Sequence, residues 1–595
     1  MKKTMLHTII KENAYQDSVV LMLLTNKIST IDGVNRVSIM MGTPANKDIF
    51  GTSGLRTAEL EAASANDMAI VADTDDASKL DEILEEVDAF LASQATKESS
   101  NTTETARTWD KAMKLDPDAN MALISIPGTY AATEADRALD EGLHAFIFSD
   151  NMPIEEELRL KQKAHDKGLL VMGPDCGTGI VNGVPMAFTN VVKPGNIGIV
   201  GASGTGIQEV STIIDRLGGG VTNAIGTGGR DLSETVGGIT MLDAIAALEK
   251  QADTDVIVVI SKPPAKAIRD KVLALLRTIT KPAVTIFLGE KPTYHETNLY
   301  HAYTLEETAR IAVALAKGQT VTATTSQITK PEITLTPEQK HMKGYYSGGT
   351  LASEAAMLIA DALALKEGLI KQDGYLLKTE GHEVIDLGDD IYTQGKPHPM
   401  IDPEKRIAFI EDAANDPETA VILLDVVLGY GSHEDMAGQL APAIKHVIAK
   451  AKAAGRELAV IGTVCGTLQD PQDYHEQRQT LIDAGVIVKD SNNEAVRTGL
   501  AIVGYKVVDE DKAIRETEND VPVAQSLEAS DAMLDLLAKQ PRVINVGLKS
   551  FAEAITETGG RVVQFDWRPV AGGDAKLQKV LQFLNSYRAE TADVK

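Results

Sequence analysis

The fold is decided by residues 196–210, which read NIGIVGASGTGIQEV. A short apolar run ends in glycines and small hydroxyl residues, and a segment with helical periodicity begins at Ile207. A strand, a glycine loop and a helix in this order are typical of a parallel sheet that helices cover on both faces. The same alternation recurs before this stretch in ALISIPG, HAFIFSD and GLLVMGPDCG, and after it in VTNAIGTGGRD, DVIVVISKPP and AVTIFLG. The sequence therefore predicts consecutive doubly wound α/β domains.

The whole chain divides into several such units. Its 595 residues suggest roughly four domains at about 150 residues each. The first stretch reads strand, helix, strand, strand, helix, which suits a small ferredoxin-like α+β domain. The predicted division is a ferredoxin-like domain (1–95), a polar linker (96–110), a CoA-binding-like Rossmann domain (111–193), a ligase-like domain (194–317), a second linker (318–340), a second ligase-like domain of flavodoxin type (341–508), and a linker with a C-terminal tail (509–595). The tail offers one strand, a helix and another strand, so we expect it to pack on a neighbouring domain or on another subunit.

Composition restricts the classes of partner. Lys and Arg number 58 and Asp and Glu number 85, which gives a net charge of −27, while the hydrophobic content of 43% is ordinary for a globular protein. A surface this negative repels nucleic acid and anionic membranes, and no dense basic run offsets it. The amino end lacks the apolar stretch of a signal peptide, and no apolar run approaches the roughly 20 residues of a membrane helix. We expect a cytoplasmic protein with no nucleic-acid or membrane partner.

The loop GASGTG is the first candidate site. Gly201 and Gly204 permit close backbone approach, Ser203 and Thr205 add hydroxyl groups, and the following helix presents free N–H groups at its amino end. Together these residues favour an anion cradle that would bind phosphate. The motif is neither GxxxxGK[ST] nor GxGxxG, so it specifies no nucleotide. The alternative interpretation is a glycine turn needed only for strand-to-helix packing.

The loop SGGT, which starts at Ser347, has the same construction. Gly348, Gly349 and Thr350 stand before the helix LASEAAMLIADAL. One interpretation is a second site for an oxyanion or a carboxylate. The other is a helix cap in which Ser347 or Thr350 accepts from the free amides.

The third candidate loop is IGTGGRD. Gly228 and Gly229 precede Arg230, whose guanidinium could pair with a phosphate or a carboxylate. The alternative is a surface ion pair of Arg230 with Asp231 or Glu234.

Other polar residues at loops carry weaker signals. They are His398 and Arg406 in GKPHPMIDPEKR, Asp425 and His433 in LDVVLGYGSHED, and Cys465 and Asp470 in VCGTLQDP. The two cysteines, Cys176 and Cys465, are too few for a disulfide framework or a zinc site. No HExxH or paired-histidine spacing is present, so we predict no metal site.

The order of these segments resembles the NDP-forming acyl-CoA synthetases, the succinyl-CoA synthetase-like superfamily. NIGIVGASGTG, GTGGRD and DVIVVISKPP look like its ligase domain, GLLVMGPDCGTGI looks like the end of its CoA-binding domain, and ILLDVVLGYG looks like its β-subunit carboxyl domain. More closely, MMGTPANKD, IPGTYAATEA, YYSGGTLASEA, GKPHPMIDP and VINVGLKSF are similar to the FdrA branch, over nearly the whole chain.

The resemblance implies a function. Proteins of the FdrA branch are described as a subunit of a multi-subunit oxamate carbamoyltransferase, which converts oxalurate and phosphate into oxamate and carbamoyl phosphate in anaerobic allantoin use. Companion subunits, phosphate and a small-molecule substrate would then be the partners. By this hypothesis Ser203, Gly204 and Thr205 hold the phosphate, Arg230 balances its charge, and the loop from Ser347 to Thr350 orients the carbamoyl group or the oxamate carboxylate.

Departures from the synthetase pattern argue against an ATP-driven ligase. The synthetases rely on a phosphorylated histidine in a GHAG-like loop, whereas the corresponding position reads YSGGT, and His341 lies six residues before Ser347. No glycine-rich CoA loop precedes the first α/β domain, and no ATP-grasp domain remains. We therefore expect no cofactor and doubtful use of CoA. An acyl-CoA-binding or ligase activity and a non-catalytic scaffold subunit remain the alternatives.

Overall fold

The computed structural model describes residues 5–99, 104–321, 328–365, 372–379, 381–393, 396–509, 512–516, 528–569 and 580. Parts of the predicted linkers and of the predicted tail, including residues 100–103, 322–327, 517–527 and 570–579, lie outside this range, as does Gly395 of the GKPHPMIDP segment. Within the described residues, no helix combines the length and the apolar character that a membrane crossing requires.

The amino-terminal unit is an α+β domain. Its elements are β1 (Leu6–Lys11), α1 (Ser18–Ser29), β2 (Val34–Met41), α2 (Pro44–Thr52), α3 (Ala58–Ala62), β3 (Met68–Thr74) and α4 (Lys79–Ser99). The strands form an antiparallel sheet in the order β1-β3-β2. One apolar cluster lies between the sheet and α1 with α4, and a second surrounds Phe50 and Leu60 of α2 and α3. The two short helices were not predicted, because each is too short to show helical periodicity.

The next elements belong to a parallel sheet. They are β4 (Glu104–Ala106), α5 (Trp109–Leu115), β5 (Met121–Ile124), α6 (Gly128–Asp140), β6 (His144–Ile147), α7 (Ile154–Asp166) and β7 (Val171–Met172). The stretch 96–110, predicted as a linker, contains the end of α4, all of β4 and the start of α5.

The central domain contains the stretch that decided the fold. Its elements are β8 (Thr178–Val181), β9 (Val184–Ala187), β10 (Ile197–Ala202), α8 (Gly204–Arg216), β11 (Val221–Gly226), α9 (Ile239–Lys250), β12 (Val256–Ser261), α10 (Lys266–Leu276), β13 (Ala283–Phe287), β14 (Tyr294–Glu296), β15 (Leu299–His301) and α11 (Leu305–Ala316). The parallel strands β10 to β13 are buried along their whole length. This burial explains their continuous apolar runs.

The third α/β domain follows. Its elements are β16 (His341–Tyr346), α12 (Gly349–Ala362), β17 (Tyr375–Lys378), β18 (Glu383–Asp386), α13 (Asp390–Thr393), α14 (Glu404–Asn415), β19 (Thr419–Val427), α15 (Met436–Ala453), β20 (Ala459–Cys465), α16 (Tyr474–Asp483), β21 (Ile487–Lys489) and α17 (Asn492–Ile502). The strand order is β17-β18-β16-β19-β20-β21, with only β17 antiparallel among them.

The last elements return to earlier sheets. They are β22 (Ala513–Arg515), α18 (Asp531–Ala538), β23 (Arg542–Val546), α19 (Lys549–Glu557) and β24 (Arg561–Phe565). The first parallel sheet has the order β4-β24-β23-β5-β6-β7, so the tail strands form its centre within the same chain. The central sheet has the order β22-β14-β15-β13-β12-β10-β11-β8-β9. The prediction of several parallel-sheet domains after a small α+β domain is confirmed.

Candidate functional site

The candidate site lies where the parallel strands of two sheets end. In the central sheet Ala202 of β10 is level with Ser261 of β12, so the loops that follow these strands leave the sheet side by side. In the third domain Tyr346 of β16 is level with Asp386 of β18. Ligands of open α/β sheets bind at such carboxyl ends of strands. The structure brings the two sets of loops together.

The amino ends of α8 and α12 meet at this point. The hydroxyl oxygens of Ser203 and Thr350 lie 2.5 Å apart, and the Thr350 amide donates to Thr205 Oγ1 over 3.1 Å. The loops GASGTG and SGGT, which are separated by more than 140 residues, therefore form one unit. Because each helix carries a partial positive charge at its amino end, two such charges converge here.

The amino end of α8 keeps two free donors. Ser203 is its N-cap, and the Ser203 hydroxyl accepts from the Gly206 amide over 3.2 Å. The amides of Gly204 and Thr205 donate to no atom of the described residues, and both residues are partly exposed. Gly201 lies inside β10, where a side chain would place its Cβ 2.7 Å from Ile207. Gly201 therefore serves the packing of strand against helix.

Most hydrogen-bond donors at the amino end of α12 are bound by a carboxylate of the protein itself. The amides of Ser347 and Gly348 each donate to a carboxylate oxygen of Asp425 over 2.8 Å, and the Ser347 hydroxyl donates to the same group over 3.0 Å. Asp425 is fully buried and pairs with the equally buried Arg406 at 2.9 Å. The amide of Gly349, a partly exposed residue, has no partner in the described part of the chain. An external anion would therefore meet the amides of Gly204, Thr205 and Gly349.

Arg230 makes its side-chain contacts with the segment that contains α7 and the residues before it. Its guanidinium pairs with Glu157 at 2.9 Å and donates to the Met152 carbonyl over 2.8 Å. Within the described residues Arg230 pairs with neither Asp231 nor Glu234. The ion pair predicted as the alternative interpretation is therefore wrong in its partner, which is Glu157. Asp231 instead accepts from the buried Lys161 over 2.7 Å.

The glycines before Arg230 place its loop against a neighbouring one. Gly228 has a positive φ of 83°, and a Cβ there would lie 2.3 Å from the Pro174 carbonyl oxygen. The Cβ position of Gly229 lies 3.7 Å from Asp175 Oδ2. Arg230 therefore belongs to the wall of the site that carries Asp175.

Three charged residues that sequence reasoning missed line the same region. Lys262 follows β12; its carbonyl oxygen accepts from the Ser261 hydroxyl over 2.6 Å, and its ammonium group has no hydrogen-bond or ion-pair partner among the described residues. Burial raises the pKa of Asp386 to about 6, although the charge of Lys262 opposes the rise. Burial also raises the pKa of Asp175 to about 6, and the neighbouring carboxylate of Asp150 adds to that rise. Asp175 is accessible to solvent although protein surrounds most of it, which is the environment of a cleft wall.

A usable signal for these residues was present in the sequence. Lys262 directly follows a strand in ISKPP, Asp175 stands just after one in MGPDCG, and Asp386 ends the strand EVID. Each is a charged residue at the carboxyl end of a parallel strand, where ligands bind.

The remaining candidates fall into different places. His398 lies beside Gly388, close to Asp386, whereas Arg406 is buried beneath the site. His341 begins β16 and so lies at the opposite end of that strand from Ser347. Burial raises the pKa of both cysteine thiols, which keeps Cys176 and Cys465 protonated.

The amino-terminal and ligase-like segments match three family models. They are described as "AllF, heavy metal-associated domain" over residues 3–108, "CoA binding domain" over residues 192–289 and "CoA-ligase" over residues 345–502. The CoA-binding match falls on the range predicted as the first ligase-like domain, so the CoA-binding character of 111–193 stays a prediction. Residues 3–108 contain no cysteine and a single histidine, and the described residues form no cluster of His, Cys, Asp or Glu suited to a metal. These residues do not fit a heavy-metal site.

Subunits of CoA ligases are similar to parts of this chain. Succinate–CoA ligase [ADP-forming] subunit alpha 2 of Archaeoglobus fulgidus is 26% identical over 29% of this chain and 60% of its own length. The ADP-forming sulfoacetate-CoA ligase subunit SauD of Bilophila wadsworthia is 26% identical over 31% of this chain and 65% of its own. The chain thus spans less than two thirds of these ligase subunits. The solved acetyl-coenzyme A synthetase 1 of Ca. Korarchaeum cryptofilum is 16% identical over 65% of this chain and 82% of its own, with a TM-score of 0.27.

One relative matches nearly throughout. The uncharacterized protein YahF of Escherichia coli is 43% identical in an alignment of 504 residues, which covers 83% of this chain and 97% of YahF. Residues 192–289 and 345–502 of this chain match the CoA-binding and CoA-ligase models. The chain belongs to the succinyl-CoA synthetase-like family that includes YahF.

Proposed function

We propose that the chain binds an acyl phosphate, or the phosphate from which one forms, at the meeting point of α8 and α12, and that it acts as an acyl-CoA synthetase-like enzyme. The observation that carries this proposal is a group of three amides, those of Gly204, Thr205 and Gly349, that have no partner among the described residues. They lie at two helix amino ends that contact each other. Amide donors and helix dipoles together favour a phosphate dianion.

The charge of the site supports the same ligand. The chain carries a net charge of −27, so an anion site needs a local positive potential. The ammonium group of Lys262 acts electrostatically on Asp386 and has no hydrogen-bond or ion-pair partner within the described part of the chain. In this proposal Lys262 pairs with the phosphate, Arg230 contributes from the opposite wall, and Ser203, Ser347, Gly348 and Thr350 hold the two helix ends in register.

Carbamoyl transfer is the second candidate, because the side of the site beside α12 is rich in acceptors. The Cβ position of Gly349 lies 2.2 Å from Asp386 Oδ2, and that of Gly388 lies 3.1 Å from the Ser347 carbonyl oxygen. Such acceptors suit the N–H groups of a ureido acid. A phosphate oxygen would attack the carbamoyl carbon and the C–N bond would break. The proton of the phosphate would reach the departing amide nitrogen through Asp386, whose pKa of about 6 suits a proton carrier. Oxalurate and phosphate would then give oxamate and carbamoyl phosphate.

Titration calorimetry of the full chain with inorganic phosphate tests the anion site. We expect Lys262→Gln to weaken phosphate binding about tenfold, since one charge-assisted contact contributes roughly 1.5 kcal/mol. The matched control is Lys266→Gln, which makes the same charge change at the exposed start of α10 and should leave the affinity within twofold. Equal losses in both variants would mean that only net charge matters and would contradict the site.

Two assays separate the candidate activities. Formation of an acyl-CoA from acyl phosphate and CoA by the purified chain would support the ligase type. Release of carbamoyl phosphate from oxalurate and phosphate, by the chain with companion subunits copurified from its source, would support the transferase. If the subunits catalyse this release equally well without the chain, a scaffold role is the better account.

A further inference from the structure

His398 occupies a distinctive position at the edge of the site. It lies in the segment between α13 and α14, and its ring is 6.3 Å from that of Phe188. Its Nδ1 accepts a hydrogen bond from the Met400 amide over 3.2 Å. The buried guanidinium of Arg406 lies near enough to disfavour a positive charge on the ring. Backbone and packing therefore fix the orientation of this imidazole.

The contact with Met400 determines where the proton of the neutral ring resides. An atom that accepts a hydrogen bond holds a lone pair, so the proton is on Nε2. Burial, together with Arg406, lowers the pKa of His398 to about 4, which keeps the ring neutral near pH 7. His398 therefore presents one N–H donor, at Nε2.

This donor has no partner in the described part of the chain, and His398 is partly exposed to solvent. It faces the candidate site: the Cβ position of Gly388 lies 2.6 Å from Nε2, 3.1 Å from the Ser347 carbonyl oxygen and 3.2 Å from Asp386 Oδ1. Gly388 lacks the side chain that would cover Nε2. Gly349 begins α12 after β16, the strand that pairs with β18, and its amide is one of the three that have no partner among the described residues.

We propose that His398 donates its Nε2–H to the carbonyl oxygen of the bound acyl phosphate, as a neutral binding residue and not as a phosphoryl acceptor. This inference rests on the proposed function, because the acyl phosphate is the ligand proposed there. A histidine accepts a phosphoryl group through a ring lone pair. Nε2 carries the proton and the lone pair of Nδ1 is used by Met400, so neither nitrogen is available.

Calorimetry with two probes tests the donor. For acetyl phosphate, we expect His398→Leu to weaken binding about fivefold to tenfold, the effect of one lost hydrogen bond. His398→Gln, which can place an amide N–H near Nε2, should lose less than threefold. For inorganic phosphate, which has no acyl oxygen, both variants should bind as the parent does. Equal losses for the two probes, or equal acetyl phosphate affinities in all three proteins, would overturn the proposal.

Gly388→Ala is a second variant that leaves the imidazole intact. Its methyl group would cover Nε2, so it should weaken acetyl phosphate binding more than inorganic phosphate binding. Unchanged acetyl phosphate binding in a folded Gly388→Ala protein would contradict the assigned position of the ligand oxygen.

Two measurements do not depend on affinity. Histidine ¹⁵N spectra of the full chain, with the His398 signal assigned by its absence in His398→Gln, should show the proton on Nε2. Mass spectrometry after incubation with acetyl phosphate should find no phosphoryl group on His398. A proton on Nδ1 or a phosphoryl group on the ring would overturn the inference. Failure of the parent protein to bind inorganic phosphate would instead refute the proposed function, while the spectra would still report on the ring.

Discussion

The two helix amino ends at the site are built alike but are satisfied differently. Each follows a buried parallel strand and starts with small residues, and each carries a buried glutamate six residues after its N-cap, Glu209 in α8 and Glu354 in α12. The amino end of α8 is capped by its own Ser203, and the amides of Gly204 and Thr205 there have no partner among the described residues. The amino end of α12 is capped by Asp425 from another strand. The α8 end is therefore held by a local bond and offers two amides to a ligand, while the α12 end is fixed by a buried charge and offers one, that of Gly349.

The glutamates show that the two halves also depend on each other. Glu209 of the central domain accepts from the Asn492 amide at the start of α17 over 3.0 Å. Glu354 of the third domain accepts from the Leu305 amide at the start of α11 over 2.7 Å. Asn492 Nδ2 also donates to Glu354 over 2.8 Å. Each domain thus caps a helix of the other, which fixes the register in which α8 and α12 meet.

The largest expected effect follows from removing the buried cap of α12. Asp425→Ala leaves Arg406 buried without its carboxylate and two amides without an acceptor, so we expect a loss of about 3–5 kcal/mol in the free energy of unfolding. Urea titration followed by circular dichroism measures it. The matched control is Asp435→Ala, since Asp435 is an exposed N-cap of α15 and should contribute about 1 kcal/mol. Similar losses in the two variants would mean that burial adds nothing to the cap.

This contrast also shows which features of the site could be predicted from the sequence and which could not. The glycine loops, the helix starts after them and the parallel strands follow from local pattern, and the prediction that Ser347 lies at a helix cap or an anion site needed only its neighbours. The bond from Ser347 to Asp425 joins residues 78 positions apart, and no periodicity reveals such a pair. The same limit applies to the tail strand β23, whose pairing with β5 depends on which sheet has an open position.

The second effect concerns Glu354 and pH. Burial raises the pKa of Glu354 to about 7, whereas an unfolded glutamate titrates near about 4.3. Between these values the folded chain holds a proton that the unfolded chain has released, so the contribution of Glu354 to stability falls as pH rises. We expect Glu354→Gln to remove that decline, which amounts to roughly 3 kcal/mol over the interval. Urea titrations from pH 4.5 to 7.5 measure it.

Comparing the pH dependence of the free energy of unfolding in the parent and in Glu354→Gln separates the effect of Glu354 from that of other buried acids, because both proteins contain those acids. Glu404→Gln, at an exposed glutamate in the first turn of α14, is the control and should keep the slope of the parent. If Glu354→Gln retains the parental slope as well, the carboxyl group of Glu354 is not the source of the pH dependence and the interface between the domains does not bury an ionisable charge there.

The smallest effect tests whether the two helix ends stabilise each other directly. Ser203→Ala removes the cap of α8 and should lower the free energy of unfolding by about 1 kcal/mol. The Ser203 hydroxyl also lies 2.5 Å from that of Thr350, so Thr350→Val should remove part of the same interaction. The double variant should then be less destabilised than the sum of the single ones, by about 0.5–1 kcal/mol. Additive losses in urea titration would mean that the hydroxyl contact contributes nothing to stability. The buried polar contacts of Glu209, Glu354 and Asn492 would then be what holds the amino ends of α8 and α12 together.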